Sequence, residues 1–395
     1  MGRIQIATVS QDSRVLGRSL MSDHNVSARL WASAALVAVP LESATGLAWW
    51  LPLHLALLGA ASQAIVGGQL MFSATLGLAR GPSRRMTLTQ LGLLNLAAIL
   101  VIGGRLWESR GSLGVGASIF MLVIGWVTWQ VDRLWRRSVN RRFTFTGTFY
   151  RLAGVSVILG ATIGAALGVG AFDDASSYLE HRTVHMALNI LGWAGLTVVG
   201  TATTLLPTIL HVRAPKLHGL RYVPWLMFGG LALVAGGATI GSRWTAMAGM
   251  VSYSAGLVAF GVYMRRVLSI ARRRKVPTAA LHLVGALAWL AVTTLALVVL
   301  SAMEDHAALR DFLVVGGAAG FVFQAILGAW SFLLPSSRAP DPELRRRELS
   351  RWSWEGDHKY SSITSDCSFC SSDCGAPTRS LLQASSLRGV RRLGR

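Results

Sequence analysis

The sequence predicts an all-α protein, a bundle of about ten transmembrane helices. Three observations indicate this fold class. Of the 395 residues, 52% are hydrophobic and only 14% are charged, whereas soluble domains contain about 25% charged residues. Apolar stretches of the length that spans a bilayer, about 20 residues, recur along the chain. Most of the Lys and Arg residues lie in the short segments between these stretches.

Ten apolar stretches are the candidate spans. The first is the weakest, because Pro40 and Glu42 interrupt it. Trp49 and Trp50 follow it and are typical interfacial anchors. The ten spans cover residues 30–48, 52–78, 86–104, 112–131, 147–172, 184–210, 222–241, 244–264, 277–302 and 311–335.

The charge distribution predicts how these spans are oriented. With the N-terminus placed inside, 33 of the 38 Lys and Arg residues fall in the inner segments and 5 fall in the outer ones. This positive-inside bias sets the orientation of membrane proteins, and an even number of spans places both termini in the cytoplasm. The net charge of +20 is therefore a topology signal and an attraction to anionic lipid. It does not indicate a nucleic-acid partner.

Composition divides the chain into three parts. Residues 1–29 form a polar cytoplasmic segment without the pattern of a cleavable signal peptide. Residues 30–335 form the membrane bundle. Residues 336–395 form a basic, Ser- and Cys-containing cytoplasmic tail with too little apolar content for a core. All three cysteines lie in this tail: Cys367, Cys370 and Cys374. We interpret them mainly as a result of the tail's biased composition, and the C-x₂-C spacing makes a metal-binding loop a minor alternative.

Polar side chains in two of the spans form the leading candidate site. His54 opens the second span and His185 opens the sixth, so both lie near the outer ends of their helices. Asn189 follows His185 by four residues, which places the two on one helix face. Histidine is a common ligand of metals and of haem iron. We therefore expect His54 and His185 to be ligands, with Asn189 holding the imidazole or a bound group.

The identity of the bound group decides how many ligands the site needs. For haem, two imidazoles suffice; for copper, a third ligand is required, and His181 or His306 in the outer loops is available. The alternative is that each histidine only bonds to a neighbouring backbone carbonyl. No Asp, Glu, Lys or Arg lies deep inside spans two to ten, which disfavours a proton relay or a carrier of charged substrates.

Small and amide residues predict how the helices pack. Glycines recur at four-residue spacing, which lets helix backbones approach closely in lipid: Gly160, Gly164 and Gly168, Gly237 and Gly241, and Gly316 and Gly320. Four amides inside the spans are expected to hydrogen-bond between helices: Gln63, Gln69, Asn95 and Gln324. A His-x-Ala-Leu sequence begins at both His54 and His185, which is a weak sign of internal duplication.

Two segments resemble a known group of membrane proteins. They read "HMALNILGWAGLTVVGTATTLLPTILHVR" and "GGAAGFVFQAILGAWSFLLP", with the motif H-x-x-L-N-x-x-G, a helix end at Pro207 and an L-L-P exit at Pro335. Over most of 30–335 the chain resembles the membrane region of actinobacterial proteins that carry a multicopper-oxidase or nitrite-reductase-like domain. That region is distantly similar to nitric-oxide-response membrane proteins and to the haem–copper oxidase bundle.

The resemblance implies which residues form the site, and it also limits the activity that can be expected. By likeness, His185 and Asn189 match the His and Asn of the group, and His54 matches the His that opens its second helix. At the inner end of this helix the sequence reads "GGQLMFS", where Gln69 replaces a more polar or His-bearing stretch. After Pro335 no copper domain follows, so the resemblance implies a shortened relative without copper-oxidase activity of its own.

These observations leave two main hypotheses for function. The first is a haem- or copper-binding membrane protein of the bacterial inner membrane, linked to respiratory or nitrogen-oxide redox, with a periplasmic copper protein or another membrane subunit as partner. The second is a non-catalytic anchor or assembly module, and transport of a neutral solute is a weaker third. The sequence contains no self-sufficient catalytic motif such as G-x-S-x-G or H-E-x-x-H, so enzymatic activity stays undecided.

The predicted orientation can be tested with reporter fusions. A periplasm-specific reporter enzyme fused after Ser176 is expected to be active, and the same reporter fused after Ala214 is expected to be inactive, because these positions lie at opposite ends of the sixth span. Activity should be normalised to protein level by immunoblotting. Activity only at Ala214 would reverse the orientation and place His54 and His185 at the cytoplasmic side.

Overall fold

The computed structural model describes residues 21–40, 49–79, 81–138, 144–172, 174–215, 218–272, 276–303 and 306–338. Every regular element in these segments is a helix. They belong to one compact unit, Met1–Leu349. The tail beyond residue 338, with its three cysteines, lies outside the described residues, so its predicted character stays a prediction.

Ten helices make up the described chain, and nine of them are long and apolar enough to cross a membrane. These nine, α2 to α10, coincide with predicted spans two to ten, so the membrane bundle is confirmed at this level. The ten helices are α1 (21–38), α2 (Trp50–Gly77), α3 (Arg84–Leu106), α4 (Arg110–Arg136), α5 (Thr144–Val169), α6 (Ala175–Ile209), α7 (Val223–Thr239), α8 (Arg243–Ala271), α9 (Thr278–Met303) and α10 (306–338).

The first helix differs from its predicted position. It occupies 21–38 rather than 30–48, and residues 41–48 lie outside the described residues. Its polar side chains face the bundle, with His24 fully buried and Asn25 3% exposed, whereas Leu30 is 68% exposed. The hydropathy pattern predicted the wrong bounds for α1, because the polar residues near its start lower the average hydropathy even though they face the interior of the bundle.

Helix α1 packs antiparallel to α2. His24 hydrogen-bonds Gln63 (2.7 Å) and lies against Gly67, while Trp31 lies against Gly59, nearer the start of α2. Asn95 of α3 accepts hydrogen bonds from Ser27 (2.8 Å) and from the Trp31 indole (2.6 Å), and Trp330 of α10 donates to Asn25. Helix α1 is therefore part of the bundle through hydrogen bonds as well as apolar contacts. These contacts confirm the predicted interhelical roles of two amides, Gln63 and Asn95.

Three helices form the centre of the bundle. In its most apolar 18-residue window, α6 is 89% buried, α2 is 67% buried and α10 is 44% buried, against 28% to 39% for the other six candidate spans. Gln69 of α2 donates to Thr197 of α6 (2.8 Å), as the sequence predicted for this amide. Helix α8 supplies two buried tyrosines that donate to backbone carbonyls of α6: Tyr253 to Leu191 (2.9 Å) and Tyr263 to Thr203 (2.6 Å).

The same three helices share a local feature, a π-helical segment. These segments are Leu55–Ala61 in α2, Leu188–Gly195 in α6 and Leu313–Phe323 in α10. Those of α6 and α10 touch where Gly317 packs on Ile190, and the segment of α10 also contacts that of α2. π-Segments are rare and occur frequently at functional sites, so their meeting marks the centre of the bundle as a candidate functional region.

Glycines set close helix approaches. Of one predicted pair, a Cβ on Gly237 would lie 2.6 Å from the backbone nitrogen of Ala246 in α8, whereas a Cβ on Gly241 has no neighbour within 4 Å. A Cβ on Gly230 of α7 would lie 2.5 Å from the carbonyl oxygen of Gly249 in α8. In α5, Gly160 faces Asn189 and Gly164 faces His185, so this glycine stripe packs directly on the candidate site. Gly241 has a φ of +66° where α7 ends, a conformation that glycine adopts without steric cost.

Adjacent glycines in α7 offer a matched test of the close approach to α8. We expect Gly230→Ala to lower the free energy of unfolding by about 1–3 kcal/mol, because the added methyl group meets backbone atoms that have no rotamer to change. Gly229→Ala is the control, since a Cβ there has no neighbour within 4 Å. Thermal unfolding in one detergent measures both variants. Equal stability of the two would contradict this packing.

Candidate functional site

His54 is held near the N-terminal end of α2 by its own helix. Its Nδ1 lies 2.8 Å from the carbonyl oxygen of Trp50, one turn earlier. The indole of Trp50 stacks on the imidazole, with ring centres 3.9 Å apart and an interplanar angle of 18°. Because a carbonyl only accepts, Nδ1 must carry the proton, and the lone pair of His54 is then on Nε2.

His185 is held in the same way by a neighbouring helix. Its Nδ1 donates to the carbonyl oxygen of Gly160 in α5 (2.8 Å). The absence of a side chain at Gly164 makes room for the ring, since a Cβ there would lie 2.5 Å from Cε1 of His185. The imidazole is again fixed through Nδ1–H, the arrangement by which histidines are oriented as metal ligands through Nε2.

Asn189 lies beside His185, as the spacing predicted, but it hydrogen-bonds the main chain of His185 and does not hold the imidazole. Its amide nitrogen donates to the main-chain carbonyl of His185 (2.6 Å) and lies 3.3 Å from Nδ1 of the same residue. Since Nδ1 already donates to Gly160, the longer distance is a contact between two donors and not a second bond to the ring. Asn189 therefore stabilises the turn in which the α6 backbone becomes π-helical.

The two imidazoles are neighbours. Their ring centres are 6.4 Å apart and their planes differ by 8°. In a linear nitrogen–metal–nitrogen arrangement the ring centres would be about 6 Å apart, from two bonds of about 2 Å and about 1 Å from each nitrogen to its ring centre. Both rings are half-buried. Both Nδ1 atoms bond to backbone carbonyls, as the structural alternative predicted. The rings are also close enough for one bound group to contact both.

The proposed third ligands differ in what surrounds them. His181 Nδ1 lies 2.8 Å from the Ser177 carbonyl oxygen, and its ring stacks on Phe172 at 4.1 Å. Among the residues whose side chains are described, His, Cys, Asp and Glu nowhere form a group of three that could hold a metal ion. The His306 side chain lies outside that set, so His306 stays a prediction.

The helix that carries His185 begins at a side-chain N-cap. Asp174 accepts a hydrogen bond from the Ser176 hydroxyl (2.5 Å) and from the Ser177 backbone N–H (2.7 Å). These two bonds hold the pKa of Asp174 below its usual range. A carboxylate at the N-cap also interacts favourably with the helix dipole, so α6 is anchored about three turns before His185.

Sequence reasoning missed three features of this site. Trp50 was assigned only an interfacial role, yet it stacks on His54 and accepts its hydrogen bond. The carbonyl of Gly160 carries no sequence signal of its own. A third His-x-Ala-Leu begins at His306, seven residues before the π-segment of α10. This repeat would have indicated that α10 belongs with α2 and α6, the other two helices with a π-segment.

No family model, no curated protein and no solved structure matches this chain. The resemblance that its motifs suggest therefore stays a prediction.

A double substitution tests the packing of His185 on α5. We expect Gly164→Ala to lower the free energy of unfolding by about 1–3 kcal/mol, because its methyl group overlaps the imidazole. In a protein that already carries His185→Ala, the overlapping ring is absent. Adding Gly164→Ala to that variant should therefore lower the free energy of unfolding much less than it does in the wild type. Gly125→Ala in α4, where a Cβ has no neighbour within 4 Å, is the control. Strictly additive effects in thermal unfolding would contradict the contact.

Proposed function

We propose that this chain is a multi-pass protein of the bacterial inner membrane that binds haem or copper through His54 and His185. The observation that carries the proposal is the pair of imidazoles from α2 and α6, 6.4 Å apart, each fixed through Nδ1 by a backbone carbonyl. Either group supplies one-electron transfer when bound. The role would be respiratory or nitrogen-oxide redox near the outer face.

The environment of the two rings supports a binding role over a purely structural one. The backbone carbonyls occupy only Nδ1 of each ring, and neither Nε2 forms a hydrogen bond with a described residue, so two neighbouring rings each keep a nitrogen for a bound group. Both rings are adjacent to the π-segments of their helices, which begin at Leu55 and Leu188. A π-segment inserts a residue and shifts the faces of the helix, so it re-aims the side chains next to it.

Haem is the ligand that the described donors satisfy by themselves. Histidines are common protein ligands of haem iron, and facing helices of a bundle commonly provide them. His54 and His185 would hold the haem, which would supply one-electron transfer. Gly160 orients His185 through its carbonyl oxygen, and Asn189 holds the backbone that follows. No third residue is needed.

Copper is the second candidate, favoured by the third His-x-Ala-Leu at His306. The helix His306–Phe312 contacts the first part of α6, Ala175–Ala187, so a ligand from α10 would come from the same end of the bundle. Imidazole suits copper, and three nitrogens would complete its coordination. A periplasmic copper protein or another membrane subunit is then the proposed partner that exchanges electrons or metal with this site.

Substitution of each histidine tests the proposal. The protein is purified in mild detergent from cells supplied with copper and a haem precursor, and a reduced-minus-oxidised visible spectrum is recorded with iron and copper analysis. We expect about one haem or one copper per chain. Because each ring supplies a required ligand, His54→Ala and His185→Ala should each reduce this content at least about tenfold. His306→Ala should reduce copper content but leave haem content unchanged.

A matched control separates loss of a ligand from loss of the fold. His211 is exposed at the other end of α6 and has a φ of +53°, which Asn tolerates, so His211→Asn should retain the full content. Unchanged haem and copper content in both His54→Ala and His185→Ala would refute the proposal. A wild-type protein with neither group would favour the anchor or assembly module, or transport of a neutral solute.

A further inference from the structure

A groove between α8 and α9 lies outside the histidine site. It encloses about 220 Å³ and is lined entirely by apolar residues. Two of its wall positions, Gly261 and Ala288, are exposed, and a Cβ on Gly261 would have no neighbour within 4 Å. The small residues thus leave an open furrow on a lipid-facing surface. Its lining residues include Leu257, Leu268, Val284 and Leu287.

The length of the groove matches half of a bilayer. Along α8 the lining residues run from Leu257 to Leu268, which at 1.5 Å per residue is about 16 Å. The hydrocarbon core of a membrane is about 30 Å thick, so one leaflet measures about 15 Å. An acyl chain lying along the furrow would extend from the membrane centre to the surface where α8 ends.

Positive charge stands at that surface end. Arg265 and Arg272 follow Gly261 and Leu268 by four residues each, so they continue the groove side of α8, and both are exposed. Neither makes an ion pair with any described residue. The sequences of α8 and α9 contain no Asp or Glu. The mouth of the groove is therefore basic, with no carboxylate on these helices to neutralise it.

We propose that this groove binds one anionic phospholipid, with an acyl chain between α8 and α9 and the phosphate at Arg265 and Arg272. Basic positions between transmembrane helices attract anionic headgroups, and the apolar furrow holds the chain that distinguishes a lipid from free phosphate. The connection after α8 belongs to the positively charged loops, so the lipid would come from the cytoplasmic leaflet. The proposal is independent of any haem or copper.

Native mass spectrometry of the full chain tests the charge requirement. The protein is delipidated in mild detergent and titrated with phosphatidylglycerol or phosphatidylcholine of identical acyl chains. We expect one phosphatidylglycerol to bind at least about tenfold more tightly than phosphatidylcholine. The double variant Arg265→Gln/Arg272→Gln should lose this preference, because each basic side chain near the headgroup contributes to the attraction. Arg266→Gln is the control, since Arg266 projects from the opposite face of α8.

A second pair of variants tests the furrow. Gly261→Leu fills open space without a clash, and we expect it to abolish retention of the bound phosphatidylglycerol. Gly92→Leu in α3, also exposed and also without a neighbour within 4 Å, should retain it. Equal binding of both lipids, or retention by Gly261→Leu, would overturn the proposal. Competition by inorganic phosphate alone would do the same. A change from dimer to monomer in Gly261→Leu with unaltered lipid binding would assign the groove to a second copy.

Discussion

Hydrocarbon offers no hydrogen bonds, and this constraint shapes how the helices of the bundle pack. An unsatisfied polar group in the membrane core costs several kcal/mol, and amides such as Gln69 and Asn95 accordingly bond to side chains of other helices. Helix α1 illustrates this, because its buried side carries His24 and Asn25 while Leu30 is exposed. The partners of these two residues are Gln63 in α2 and Trp330 in α10, so polar contacts link the first helix to two of the three central helices.

The candidate site lies on the helices that are most buried from lipid. Helices α2, α6 and α10 are the most buried spans, and each contains a π-segment. Two of these segments adjoin the histidines of the pair. Because α5 places Gly160 and Gly164 against Asn189 and His185, close glycine packing and orientation of the imidazole come from the same surface. Stability and the proposed binding role therefore depend on one set of contacts.

The peripheral helices have a different role. Helices α7 and α8 approach through glycines, and α8 fixes α6 from outside through Tyr253 and Tyr263. Helix α8 also leaves a furrow against α9 open to lipid. The same helix thus supports the core with hydroxyl donors and presents small residues to the membrane. One helix can combine these two roles in a membrane, because acyl chains fill a furrow on a lipid-facing surface and no apolar side chain is exposed to water.

The sequence by itself determined the nine long spans and the i, i+4 placement of Asn189 after His185, because bilayer thickness and helical period fix these locally. It also singled out both histidines, since few polar groups interrupt the apolar runs. Only the tertiary structure decided the position of α1, the stacking of Trp50 on His54, the carbonyl of Gly160 as partner of His185, and the 6.4 Å between the imidazoles. These features arise from packing between segments that are distant in sequence and from backbone atoms that every residue shares, so no local pattern encodes them.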